Sequence, residues 1–109
     1  MFSNKNRKTT EVEYIQLTLL FYKEEDQWIG ECKELGLSTY GDTIEEVRAE
    51  LPELVELHVN ALEEAGEREN FFKENGIIIY SEKIPERINV PYTPDILMLP
   101  YIKNLEHAF

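Results

Sequence analysis

Apolar and polar side chains alternate from Tyr14 onward, and a period of two residues is typical of a β-strand. The residues expected on the buried face are Ile15, Leu17, Leu19 and Phe21. The charged run at 23–26 predicts a turn, and a second strand at 27–32 completes a hairpin. One face of this second strand would carry Trp28, Gly30 and Cys32. A third strand at 37–40 is predicted next, and the turn residue Gly41 closes this segment of the sheet.

A long amphipathic helix is predicted next. Two overlapping capping signals mark its start, Asp42 with Glu45 and Thr43 with Glu46. Apolar residues then recur at helical spacing, at Ile44, Val47, Leu51, Leu54, Val55, His58, Val59, Leu62 and Ala65. Pro52 predicts a kink or a division into two collinear pieces, because proline lacks the donor that a helix interior needs. Gly66 is the expected end.

Two shorter elements are predicted after this helix. Residues 67–75 fit a second helix with Phe71 and Phe72 turned inward, and Gly76 is its expected C-terminal cap. The apolar, β-branched run at 77–80 predicts a fourth strand that is buried on both sides or lies beside a partner. The expected fold is therefore α+β, a two-layer sandwich of order β-β-β-α-(α)-β with an antiparallel sheet and one long covering helix.

The chain divides into three parts by composition. Residues 1–10 are polar and form a flexible arm, residues 11–82 form the domain, and residues 83–109 form an extended C-terminal arm. Four of the five prolines lie in that last part, and they argue against a continuous helix or a central strand there. Because the arm is rich in apolar residues, it is expected to cover the second sheet face or to cross to another subunit.

Charge narrows the choice of partners. The chain has 22 acidic and 11 basic residues, a formal net charge of -11, so its surface repels phosphate backbones and anionic lipid. Nucleic acid and membranes are therefore not expected as direct partners, whereas a basic protein is favoured. The single cysteine excludes an internal disulfide and a multi-cysteine zinc site, which favours the cytoplasm.

No catalytic, metal-binding or cofactor-binding residue is predicted, and no cofactor. The three aspartates, Asp26, Asp42 and Asp95, fall in a turn, a helix cap and the C-terminal arm, so they give no basis for the acid cluster of a metal-dependent nuclease. His58 is interpreted as a core histidine with one hydrogen bond, and Cys32 as a small packing residue. The chain is accordingly not expected to be an enzyme.

Residues 21–47 resemble the HicB-like antitoxin domain. The similarity extends over about residues 14–80, and its most specific part is Gly-Asp-Thr-Ile-Glu-Glu at 41–46. The residues that match the family motif are Trp28, Gly41, Asp42, Thr43 and Glu46. The resemblance implies a partial ribonuclease-H-like arrangement, with a three-stranded antiparallel meander, a covering helix and a further strand at the sheet edge. It also implies that the domain sequesters HicA-type toxins, which are small basic ribonucleases that cleave messenger RNA. The DNA-binding C-terminal segment found in many members has no counterpart here, because residues 81–109 are interrupted by prolines.

Two surfaces are candidates for the partner interface. The acidic side of the long helix carries Glu45, Glu46, Glu50 and Glu53, and it is either a docking surface for a basic protein or a solvated outer face. Trp28 is expected on the sheet face opposite the helix, as a core residue or an interface anchor. The alternative hypothesis is an orphan homo-oligomer, a dimer or larger, without a toxin partner.

Overall fold

The computed structural model describes residues 12–88 and 94–105. It contains five strands, β1 (Val12–Glu24), β2 (Gln27–Cys32), β3 (Leu37–Gly41), β4 (Tyr80–Glu82) and β5 (Ile96–Leu105). The two α-helices are α1 (Ile44–Glu64) and α2 (Arg68–Glu74), and a single 3-10 turn (Lys33–Leu35) joins β2 to β3. The predicted α+β class and the antiparallel meander are confirmed. The predicted arm at 1–10 lies outside the described residues, as do residues 89–93 and 106–109.

The long strand β1 lies at the centre of a five-stranded antiparallel sheet. Its second half pairs with β2, which in turn pairs with β3. Its first three residues pair with β4, and β5 pairs with β1 at ten consecutive positions. Since Tyr14 has partners in both β4 and β5, and Leu20 has partners in both β2 and β5, β2 and β4 share one side of β1 and β5 takes the other.

The core lies between one face of this sheet and the two helices. The alternating residues of β1 supply its centre and are at most 3% exposed, as the period of two predicts: Ile15, Leu17, Leu19 and Phe21. Helix α1 covers them with Val47, Leu51, Val55 and Val59, and α2 adds Phe72. Of the predicted helical stripe, these four residues are buried and Ile44, Leu54, His58 and Leu62 are half-buried, whereas Ala65 is exposed.

Helix α1 runs unbroken past Pro52, so of the two predicted alternatives, a kink or a division into two pieces, the division is wrong. Both helices end as their glycines predict. Gly66 and Gly76 have φ of +73° and +70°, the left-handed region that glycine tolerates. After α2, the N–H of Ile77 donates to the carbonyl of Phe72 at 2.8 Å, which closes the helix end and anchors the chain beside the core.

The predicted fourth strand is displaced along the chain. Residues 77–79 are not in a strand, and only Tyr80–Glu82 pairs with β1. Ile77 is buried in the core, but Ile78 is 60% exposed, so this segment is not buried on both sides. The β-branched run supplies two core contacts next to a helix cap, the buried Ile77 and the partly buried Ile79, and not a central strand.

The C-terminal segment also differs from the prediction, because ten of its residues form β5 and extend the sheet. Pro100 lies within β5, opposite Thr18. The N–H of Thr18 donates to Glu34 Oε1 at 3.3 Å, on the side of β1 away from β5. Thr18 and Pro100 are therefore a pair without mutual hydrogen bonds, and the donor that proline lacks would face the outer edge.

Candidate partner-binding surface

A groove lies between the edge strand β3 and the first half of α1. Its volume is about 430 Å³, and its lining residues are Tyr40, Gly41, Glu46, Ala49, Glu50 and Glu53. Three carboxylates therefore face one shallow space. Among the described strands β3 pairs only with β2, so its outer edge presents backbone N–H and C=O groups beside this groove.

The start of α1 is fixed by Thr43 and Glu46. The Thr43 hydroxyl accepts from the Glu46 N–H at 3.2 Å, and Glu46 Oε1 accepts from the N–H groups of Asp42 and Thr43 at 2.8 and 3.2 Å. This reciprocal capping box satisfies donors that would otherwise have no helical partner. Of the two predicted capping signals, Thr43 with Glu46 is the one used.

Gly41 lets the strand approach this cap closely. A Cβ at position 41 would lie 3.0 Å from Glu46 Oε1 and 3.3 Å from Glu46 Cβ. The motif Gly-Asp-Thr at 41–43 therefore has a local structural role, because it forms the tight connection between β3 and α1. Glu46 lines the groove, but its carboxylate is already engaged in the cap.

The remaining predicted glutamates differ in position. Glu50 Oε1 accepts a hydrogen bond from the Thr39 hydroxyl, which ties α1 to β3 across the groove. Glu53 is exposed and lines the groove as well. Glu45 is exposed in the first turn of α1 but is not among the lining residues. The groove thus combines two hydrogen-bonded carboxylates, those of Glu46 and Glu50, with that of Glu53, and all three residues are exposed.

Trp28 lies on the helix-covered face, so its expected position on the opposite face is wrong. In the sheet register it is opposite Gly41, and it shares a face with Gly30 and Cys32. The indole is half-buried and packs against the core. Its place beside Gly41 brings it to the same end of the sheet as the groove.

Cys32 is fully buried, and its interpretation as a packing residue is confirmed. Burial raises the pKa of the thiol to about 12, and the charge of Glu34 adds to this despite backbone hydrogen bonds that lower it. The Cys32 Sγ lies 3.7 Å from Glu34 Oε1. A thiol in this state is a poor nucleophile at neutral pH.

His58 lies on the buried side of α1, edge-on to Phe71 with the ring centres 5.3 Å apart. Its Nε2 is buried and has no hydrogen-bond partner in the described part of the chain. The packing of His58 against Phe71 agrees with the predicted core histidine. The predicted hydrogen bond is not made by Nε2.

A polar cluster that the sequence did not reveal connects α1 to β5. Glu56 accepts from the Tyr101 hydroxyl at 2.6 Å and from Lys103 Nζ at 2.7 Å. Burial raises the pKa of the Glu56 carboxyl, but the bonds from Lys103 and Tyr101 and the charge of Lys103 outweigh it, so the net shift is downward. Burial raises the pKa of Tyr101 to about 12, together with its bond to Glu56 and the charge of that carboxylate.

Within residues 12–88 and 94–105, no three His, Cys, Asp or Glu side chains are grouped so that they could hold a metal ion. Neither described helix is long and apolar enough to cross a membrane. No protein-family model, curated protein or solved structure matches the chain.

Proposed function

We propose that the chain is a HicB-like protein that binds a small basic ribonuclease of the HicA type and covers its active-site surface. The observation that carries the proposal is the acidic groove beside the outer edge of β3, which no other described strand covers, because it offers a cationic partner both charge and backbone hydrogen bonds. The resemblance over residues 14–80 names the class of partner.

Electrostatics supports a basic partner. The chain carries a net charge of -11, and the exposed Glu53 stands beside Glu50 in the groove. Lysine and arginine side chains of an approaching protein would be attracted over a distance of about 10 Å at ordinary salt. The negative charge would also keep RNA off this chain, so that it would mask the ribonuclease without competing for its substrate.

Backbone geometry supports binding by strand addition. The outer edge of β3 is a row of hydrogen-bonding groups, and an extended segment of a partner can pair with such an edge. Tyr40 on this strand is 68% exposed and would supply an aromatic contact. Trp28, half-buried at the same end of the sheet, is a second candidate contact.

The proposal also includes the ribonuclease-H-like arrangement, the cytoplasmic location and the non-catalytic action expected of a HicB-like protein. The order β3-β2-β1 beside a covering helix, with a further strand next to β1, fits a partial ribonuclease-H-like arrangement. In this proposal the protein acts in the cytoplasm, by association and not by catalysis, and without contacting operator DNA directly.

The test is co-expression with the small basic protein encoded next to its gene. We expect a stable complex on size-exclusion chromatography and inhibition of RNA cleavage by the bound ribonuclease. The variant Glu50→Gln with Glu53→Gln removes two charges from the groove but keeps an acceptor for Thr39. It should weaken binding by about tenfold at low salt and reduce the salt dependence.

The matched control is Glu64→Gln with Glu74→Gln, because both residues are exposed glutamates outside the groove and the change in net charge is the same. The control should bind like the natural chain. Equal weakening by both double variants would show that only net charge matters, which would refute the groove. Absence of both the neighbouring gene and a complex would reject the proposal as a whole.

A further inference from the structure

A gap interrupts the sheet beside β1, on the side away from β5. On that side β2 pairs with residues 19–24 and β4 pairs with residues 12–14, so no described strand lies opposite residues 15–18. The segment before β4 does not close the gap, because the bond from Ile77 to Phe72 holds it at the end of α2 and residues 77–79 stay outside the strand. The gap therefore follows from the helix cap that precedes β4.

The gap opens into a cavity of about 280 Å³. Its polar lining residues are Gln16, Thr18 and Glu34, and its apolar ones include Ile78, Ile88 and Pro100. A few polar groups among apolar walls are typical of small-molecule sites, and the volume is close to the lower end of their usual range of about 300–1,000 Å³. Among the described residues, none lines both this cavity and the groove beside β3. The cavity is therefore a separate candidate site.

The backbone of β1 directs hydrogen-bonding groups into the gap. The N–H of Thr18 faces it and donates to Glu34 Oε1 at 3.3 Å. Since alternate residues of a strand direct their N–H and C=O groups to the same side, those of Gln16 face the gap as well. No described strand pairs with them there. The cavity thus offers a ligand one backbone donor and one backbone acceptor from Gln16.

Glu34 gives the cavity its charge, because it is the one ionisable side chain with a full charge at neutral pH among the described lining residues. The bond from Thr18 places the half-buried carboxylate at the gap. Its described hydrogen bonds, from the Thr18 N–H and from Cys32 Sγ, both reach Oε1. No lysine or arginine of the described chain forms an ion pair with it. Oε2 is therefore an available acceptor, and the negative charge has no partner of opposite sign in the described structure.

We propose that this cavity binds a small organic cation, a short aliphatic chain that ends in a guanidinium or ammonium group. The cationic group would donate to Glu34 Oε2, since hydrogen bonds between ionised groups are the strong ones. The aliphatic chain would pack against Ile78, Ile88 and Pro100. At about 30 Å³ per water molecule the cavity has the volume of roughly nine waters, which suits a ligand with about eight non-hydrogen atoms.

Titration of the full chain with n-butylguanidinium, followed through the backbone amide signals in NMR spectra, tests this proposal. We expect a dissociation constant of about 1 mM, as for a ligand of this size, with saturable shifts at Gln16, Thr18 and Glu34. n-Butylurea has the same shape without the charge and should bind at least about tenfold more weakly. The absence of saturable shifts, or equal affinity for the two probes, would overturn the proposal.

Glu34→Gln removes the charge but keeps an acceptor for the Thr18 N–H, and it should weaken n-butylguanidinium binding at least about tenfold. Glu74→Gln is the matched control, because it is an exposed glutamate outside the cavity and the change in net charge is the same. The control should bind like the natural chain. Equal weakening by both variants, or shifts confined to residues outside the cavity, would show that the probe follows net charge alone and would refute the site. Because the assay contains no ribonuclease, its outcome is independent of the proposed function.

Discussion

Lys103 Nζ lies 2.7 Å from Glu56 Oε1, and this ion pair joins the last described strand to the middle of the long helix. The lysine side chain is 15% exposed and the glutamate 41% exposed. The Tyr101 hydroxyl donates to the other carboxylate oxygen. Because α1 otherwise packs mainly over β1, β2 and β3, the cluster of Glu56, Tyr101 and Lys103 fixes β5 to the helical layer.

Glu56 should therefore stabilise the fold in a pH-dependent way. Its pKa is lowered in the folded chain from an ordinary value of 4.5, so its contribution is present above about pH 4.5 and is lost as the pH falls through the folded value. Glu56→Gln should reduce the free energy of unfolding at pH 7 by about 0.5–1 kcal/mol, a value discounted for partial exposure. Urea unfolding at pH 7 and pH 3 measures the difference, which should shrink at pH 3. An unchanged difference at pH 3, or an equal loss from Glu64→Gln on the same helix, would contradict this role.

The buried Cys32 should be protected from alkylation. A rise in pKa from 9.0 to about 12 makes the thiolate fraction at pH 8 roughly a thousand times smaller than in an unfolded chain, and burial blocks access as well. Iodoacetamide should thus modify the native protein at least about a hundred times more slowly than the protein in urea. An exposed control is Ser38→Cys in a Cys32→Ser chain, which should react quickly when folded. Similar rates for the native and unfolded natural chain would refute the buried placement.

His58 should be replaceable with a gain in stability. Its Nε2 is buried and unbonded in the described part of the chain, so the imidazole loses hydration without compensation. His58→Leu should raise the free energy of unfolding by about 1 kcal/mol, since it removes that cost and leucine is a better helix former. Asn60→Leu, at an exposed position of α1, controls for the helix propensity alone. A loss of stability in His58→Leu would show that the imidazole makes a bond needed for folding.

The first two-thirds of the fold could be predicted because its signals are local. Alternation in β1 and the charged turn before β2 identify the hairpin, and the Thr43–Glu46 capping box marks the start of α1. Each of these depends on residues within a few positions of one another. The sheet face that carries Trp28 could not be predicted from local signals, because packing between distant parts of the chain determines which face the helix covers. The alternation along β2 places Trp28, Gly30 and Cys32 on one face, and the burial of Cys32 shows that this face lies under the helix.

The last part of the fold depends on long-range pairing, which local rules misjudge. The prolines argue only against a central strand, and β5 is an edge strand among the described strands, where a residue without an N–H is tolerated. Once β5 is known, the spacing of Tyr101 and Lys103 by two residues puts both on the face toward Glu56. The groove was only half predicted for the same reason. Glu50 and Glu53 could be placed on one side of the helix, but their position beside the outer edge of β3 could not.

The contact between Gly41 and Glu46 offers a test of whether the motif Gly-Asp-Thr-Ile-Glu-Glu at 41–46 is needed for folding. A Cβ at position 41 would crowd Glu46 Oε1 at 3.0 Å and Glu46 Cβ at 3.3 Å, so Gly41→Ala should displace the capping carboxylate and cost about 1 kcal/mol. In a Glu46→Ala background the oxygen is gone, and Gly41→Ala should cost clearly less, which a double-mutant cycle of urea unfolding measures. Ser38→Ala, on the same strand, should show no coupling to Glu46→Ala. Strict additivity of Gly41→Ala and Glu46→Ala would mean that the glycine acts through something other than the cap.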